Sequence, residues 1–338
     1  MSADGAGIDQ GWRQFEAGNL AAARKFAERE LREDPEHPDA LVLLAACQRG
    51  QGEFEDALGL LDRAGRAAPE WSEPAQCMAE ILGQELDRPA EALVHAAVAL
   101  DRAEEEDEFL DALLLKAGLE IQLAKTKAAQ ATLSELPPAE EVALPPDVSL
   151  DLAYLFLEAE LVEEAEHRFQ LLADVDAENA EAWYGFGLCA EERGDEAAKR
   201  QAWLRALALD GKAPLQNPHM SEADMAEVAE QALRELPAAA RRLIENVPIL
   251  IVDLPARDEV EHGLDPRLLG LFAGAAYSEE SSVGGAPQLT QILLFRKNLE
   301  RMAIDPEDLR EQIRITLLHE TGHFFGMSED DLADVGLD

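Results

Sequence analysis

Two histidines four residues apart, with a glutamate directly after the first, make the stretch His319-Glu320-Thr321-Gly322-His323 the place where this chain declares a chemistry. Residues four apart on an α-helix lie one turn apart on the same face, so His319 and His323 can both reach a single Zn2+. Glu320 then points to the side of the metal, where its carboxylate can take a proton from a zinc-bound water. A catalytic zinc takes three protein ligands and keeps one position for water. Glu329, Asp330 and Asp331 follow the pair, and any of them could swing back as the third, oxygen ligand. Tyr277 and Arg296 are the nearby candidates by sequence for stabilising an oxyanion.

The metal pair needs a helix, and the flanking residues supply one. Asp305 reads as an N-cap, Pro306 as the first helical position and Asp308 as the capping-box residue. Leu309, Ile313 and Leu317, then Ile315, Leu318 and Phe325, recur at three- and four-residue steps, and Gly326 supplies a stop. Upstream, Ser221 with Asp224 opens a helix over Met225, Val228, Ala232 and Leu236. The β-branched run 247–253 predicts a buried strand, 268–274 a second and 291–295 a third, whose end at Phe295 could pair with an extended substrate at a sheet edge. The stretch 278–285, with Gly284-Gly285, reads as a mobile loop able to cover a cleft. The order of elements implies helices layered on a small sheet, an α+β arrangement.

Residues 11–210 are self-similar. Gly18-Asn19-Leu20 with Ala23 returns thirty-four residues later as Gly52-Glu53-Phe54 with Ala57, and Pro35 returns as Pro69. A third copy, Asp87-Arg88-Pro89 with Ala92, follows after thirty-five. The last unit carries Trp183, Gly185, Gly187, Gly194-Asp195, Trp203 and Ala206-Leu207. Helix pairs near 11–35, 39–68, 74–101, 107–136, 149–176 and 180–210 give about six units, the fourth and fifth degenerate. The spacing and the Trp/Gly signature resemble tetratricopeptide (TPR) repeats, which stack into a solenoid and commonly bind a protein or peptide in the groove.

The C-terminal part, roughly residues 220–338, resembles the short bacterial metallopeptidase-like proteins with a minimal zincin fold. The ordered set ILIVD, LLGLFAG, QILLFRKNLER and HETGHFFGMSEDDL carries the likeness. That family typically reads HExxHHFG and then an acidic residue; here Phe324 stands where the second His of the pair is common. The resemblance implies a Zn2+ site of His319, His323 and Glu329, Glu standing where Asp is more usual, with Glu320 as general base in peptide-bond hydrolysis. The expected organisation is multidomain: a disordered N-terminus over 1–10, an all-α TPR-like solenoid over 11–210, a linker over 211–219 and a small α+β zincin-like domain over 220–338. The alternative is an interaction scaffold whose zincin domain binds metal with little or no catalysis.

Composition bounds the partners. Asp and Glu number 70 against 29 Lys and Arg, a formal charge of −41 spread over both parts of the chain, which argues against nucleic acid or an anionic membrane. Cys47, Cys77 and Cys189 are isolated, as small core residues of a reducing compartment are. The first thirty residues hold no apolar leader, and no apolar run is long enough to span a bilayer, so a cytoplasmic location is expected.

Overall fold

The computed structural model describes residues 5–136, 139, 144–236, 241, 244, 247–274, 291–325 and 327–328. Helices α1 (Gly5–Glu16) and α2 (Leu20–Glu33) form the first pair, α3 (Pro38–Arg49) and α4 (Phe54–Ala67) the second. Then come α5 (Glu73–Glu80), prolonged by a π turn over Ile81–Glu85, with α6 (Pro89–Arg102), and α7 (Glu106–Gln122) with α8 (Thr126–Leu133). Helices α9 (Pro146–Glu158), α10 (Val162–Val175), α11 (Ala180–Glu192) and α12 (Glu196–Lys212) complete the series.

One device makes the turn inside every pair. Gly18, Gly52, Asp87, Ala124, Glu160 and Gly194 all take positive φ, between 50° and 78°. The following N–H returns to the preceding helix: Asn19 to the Gln14 carbonyl, Glu53 to Gln48, Lys125 to Glu120, Leu161 to Phe156 and Asp195 to Ala190, all at 2.7–2.9 Å. Such a left-handed cap satisfies carbonyls that the helix end leaves open. In the third unit Arg88 reaches one residue further back, to Leu82. The π turn has inserted that residue, which explains the spacing of thirty-five instead of thirty-four. Ala124 and Glu160 hold the turn of the fourth and fifth units, as Asp87 does in the third, where the first, second and sixth place Gly.

Alanines let the paired helices approach. Ala23, Ala57 and Ala92, at equivalent positions, are fully buried, as are Ala27 and Ala96. The expected disorder over 1–10 is corrected for the described part: α1 starts at Gly5. Ile8 gives the reason, being buried against Ala23, Ala27 and Leu43.

The chain divides into two compact units, Met1–Arg168 and Phe169–Asp338, with the division inside α10. The second unit therefore contains α11 and α12 together with α13 (Glu222–Glu235), β1 (Ile249–Val252), α14 (Arg257–Glu261), β2 (Gly270–Ala273), β3 (Gln291–Phe295), α15 (Arg296–Met302) and α16 (Pro306–Phe324). Its polar fastenings explain the early division. Arg267 binds Glu181 at 2.5 Å and Asp210 at 3.3 Å, Arg301 binds Asp210 at 2.6 Å, and Asp210 is buried. Lys297 Nζ donates to the carbonyls of Asp210, Gly211 and Ala213 at the end of α12. Trp203, Leu207 and Val260 share one apolar cluster.

The sheet order is β1-β3-β2, with β1 parallel and β2 antiparallel to β3. Ile292 and Leu294 of β3 pack with Met225 and Ala229 of α13 and with Leu309, Ile313 and Leu317 of α16. The three strands stand where the apolar runs placed them. The expectation that β3 could offer its edge is corrected: β3 is central and paired on both sides, and its buried residues Ile292 to Phe295 are those of an inner strand.

Candidate metal centre

Helix α16 presents the motif, and its start is built as its sequence reads. Asp305 Oδ1 caps the Glu307 and Asp308 amides at 2.8 and 2.9 Å, with Pro306 in the first turn. Asp308 reaches back to the Ile304 amide at 2.9 Å, one residue before the N-cap. The stripe Leu309, Ile313, Leu317 is fully buried and locks the helix rotation. That rotation sets His319 and His323 at the rim and Glu320 inward, the glutamate being 6% exposed.

The two imidazoles converge. Their Nε2 atoms are 2.9 Å apart, and the rings meet edge to face at 77° with centroids 4.7 Å apart. Two nitrogens bound to one tetrahedral zinc would be separated by about 3.3 Å, so this pair is within half an ångström of a shared-metal spacing. His323 Nδ1 lies 3.3 Å from the Met327 carbonyl. With the proton donated there, Nε2 carries the lone pair that a metal needs. The donor set therefore fits zinc for two ligands. Among the described residues no group of three or more His, Cys, Asp or Glu is gathered. Glu329, Asp330 and Asp331 lie outside the described residues, as do Tyr277 and Gly284-Gly285.

Glu320 has a partner that spacing could not reveal. Its Oε2 accepts the Phe272 amide of β2 at 2.6 Å, forty-eight residues away in sequence. The Phe295 amide bonds the Leu269 carbonyl at 2.9 Å, and alternation along an antiparallel pair then directs the amides of Gly270 and Phe272 away from β3. The glutamate thus hooks the outer edge of β2. Close approach requires Gly270: a Cβ there would stand 2.6 Å from Thr316 Cγ2 and 3.1 Å from Glu320 Cγ. The glycine in LLGLFAG was the sequence signal for this contact.

Arg296 is not brought to the motif. Glu320 sits at the level of Phe272, which pairs with Ile292, and four strand residues put Arg296 roughly 13 Å further along. Its guanidinium binds Asp253 at 2.6 Å, at the far end of β1.

Comparison with known proteins agrees with this architecture. The pattern of the zincin-like metallopeptidase family matches residues 244–337. Two tetratricopeptide repeat patterns match residues 14–81 and 150–214. The chain thus carries TPR repeats followed by a zincin-like metallopeptidase domain. None of the curated proteins matches it. Among solved structures, the pilF protein of Pseudomonas aeruginosa is similar with 19% identity and a TM-score of 0.50, over 62% of this chain and 93% of that one. PilW, a type IV pilus biogenesis factor, shows 17% identity and a TM-score of 0.49 over 63% and 96% of the two chains. YrrB, a TPR protein with an unusual peptide-binding site, shows 16% and 0.46 over 55% and 93%. At 19% identity the likeness to pilF concerns the helical fold alone. No helix among the described residues is long and apolar enough to cross a membrane.

Proposed function

We propose that this chain is a zinc-dependent peptide hydrolase whose repeat array recruits a protein substrate or regulator in the cytoplasm. The observation that carries the reading is the convergence of His319 and His323 beside a buried Glu320 on one helix. His319, His323 and an acidic residue after the helix, Glu329 by family position and Asp330 or Asp331 by proximity, would hold the metal. When bound, zinc would supply Lewis acidity toward a scissile carbonyl and its attacking water. Glu320 would accept that water's proton and return it to the leaving amine. The Phe272 amide fixes the carboxylate in place for this transfer.

The bond from Phe272 to Glu320 also favours a second reading. It ties helix to strand, so Glu320 would be retained for architecture in a domain that binds metal without turnover. A digest of a peptide library by the zinc-loaded full chain separates the two. The enzyme reading predicts cleavage that Glu320→Gln lowers by about 10²–10⁴-fold at unchanged zinc content. Stoichiometric zinc with no cleavage by the wild type would leave only the scaffold.

A further inference from the structure

A groove of about 500 Å³ runs along the first helices of three successive repeat pairs, α1, α3 and α5. Its apolar lining includes Trp12, Phe15, Val42, Ala46 and Cys77. Trp12 and Phe15 pack edge to face, with centroids 5.7 Å apart. Arg49 is the cation in this lining, and the π turn consumes it. Three acceptors meet on its guanidinium: Glu80 from the end of α5 at 2.7 Å, and Gln84 and Glu85 from the π turn, each at 3.2 Å.

With Arg49 taken up, negative charge is left over. Glu73 lines the same groove. Burial, then the charges of Glu80, Glu108 and Asp111, hold its carboxyl above the ordinary carboxylate range, against an opposing hydrogen bond from Cys77. Burial, then Asp107 and Glu80, raise the Asp111 carboxyl as well. An entering cation relieves this crowding, whereas an anion adds to it.

From the apolar lining and this charge surplus, we infer that the groove of the first three repeats docks a peptide segment alternating large apolar with Lys or Arg side chains. The inference rests on the recruiting role proposed above and names its partner chemistry. Apolar side chains would cover Trp12 and Phe15, and a cationic head would sit between Glu73 and Glu85.

The test is fluorescence anisotropy on the full chain with a labelled peptide alternating Leu and Lys, beside a Leu/Glu twin. The Leu/Lys peptide is expected to bind, with affinity falling as salt rises. Glu73→Gln with Glu85→Gln should weaken it about tenfold, the loss of one well-placed charge contact. Glu163→Gln with Glu164→Gln, the same charge change on the exposed start of α10, should weaken it less than about twofold. Equal losses in the two pairs would mean diffuse attraction to an acidic chain and would overturn the inference. So would a Leu/Glu twin that binds as well, or no binding of either peptide. Self-association of the chain that the groove variant abolishes would assign the groove to a second copy instead. Zinc content and cleavage are read separately, so any of these results leaves the hydrolase reading standing.

Discussion

In the first unit the close contacts recur at one spacing, whereas in the second they join residues far apart in sequence. Ala23, Ala57 and Ala92 perform one task at successive repeats, and four of the unit's five left-handed turns repeat one hydrogen-bond pattern. In the second unit Phe272 holds Glu320 across forty-eight residues, and Arg267 holds Glu181 across eighty-six. Damage to a repeat contact should therefore stay with its neighbours, while damage to one long-range contact should reach the metal helix. Hydrogen exchange read by mass spectrometry reports the two units separately and can break this contrast.

The largest expected effect is at Arg267. Its removal leaves Asp210 and Glu181 facing each other with one cation fewer at a buried carboxylate, Asp210 being 4% exposed. Arg267→Ala should cost the second unit about 3 kcal/mol and loosen β2, with protection in α1–α4 unchanged. Uniform loss across both units would erase the distinction. Gly270→Ala comes next: the new methyl meets Thr316 Cγ2, and overpacking should cost about 1–3 kcal/mol, seen as faster exchange in β2 and α16. An unchanged melting curve would contradict the tight crossing.

Smaller effects sharpen the first unit. Glu160, at φ 61°, carries a side chain through a conformation that suits glycine. Glu160→Gly should raise stability by about 0.5–1 kcal/mol with the turn bond retained, checked by thermal unfolding. Glu73 gives the pH signature. Because its folded-state carboxyl sits above the ordinary range, its contribution is most favourable at low pH and is lost as pH rises through the unfolded and then the folded value. Glu73→Gln should therefore raise the neutral-pH midpoint slightly and flatten its pH dependence. A lowered midpoint would show that the carboxylate is compensated.

The same contrast explains what the amino-acid sequence discloses. Six repeats were legible because a period needs only local matches, even where Ala124 and Glu160 replace the turn glycine. The Asp305 cap, the Leu309-Ile313-Leu317 stripe and the Ser221/Asp224 capping box were legible for the same reason, all acting within a turn or two of themselves. Strand order was not, since a buried run such as 291–295 reads alike at the centre or the edge of a sheet. The Phe272 amide was hidden because a backbone donor carries no side-chain signature, and Gly270 marks only the close approach beside it. The division at Arg168/Phe169 was hidden because Glu181, Asp210, Arg267 and Arg301 read as ordinary surface charges until the fold pairs them.

The central claim is that His319 and His323 converge to hold zinc, and metal content of the purified full chain tests it most directly. The account predicts one zinc per chain, kept in Glu320→Gln and lost in His323→Ala, with the repeats folded in both variants. Zinc-free wild type that takes up none from solution, indistinguishable from His323→Ala, would contradict it.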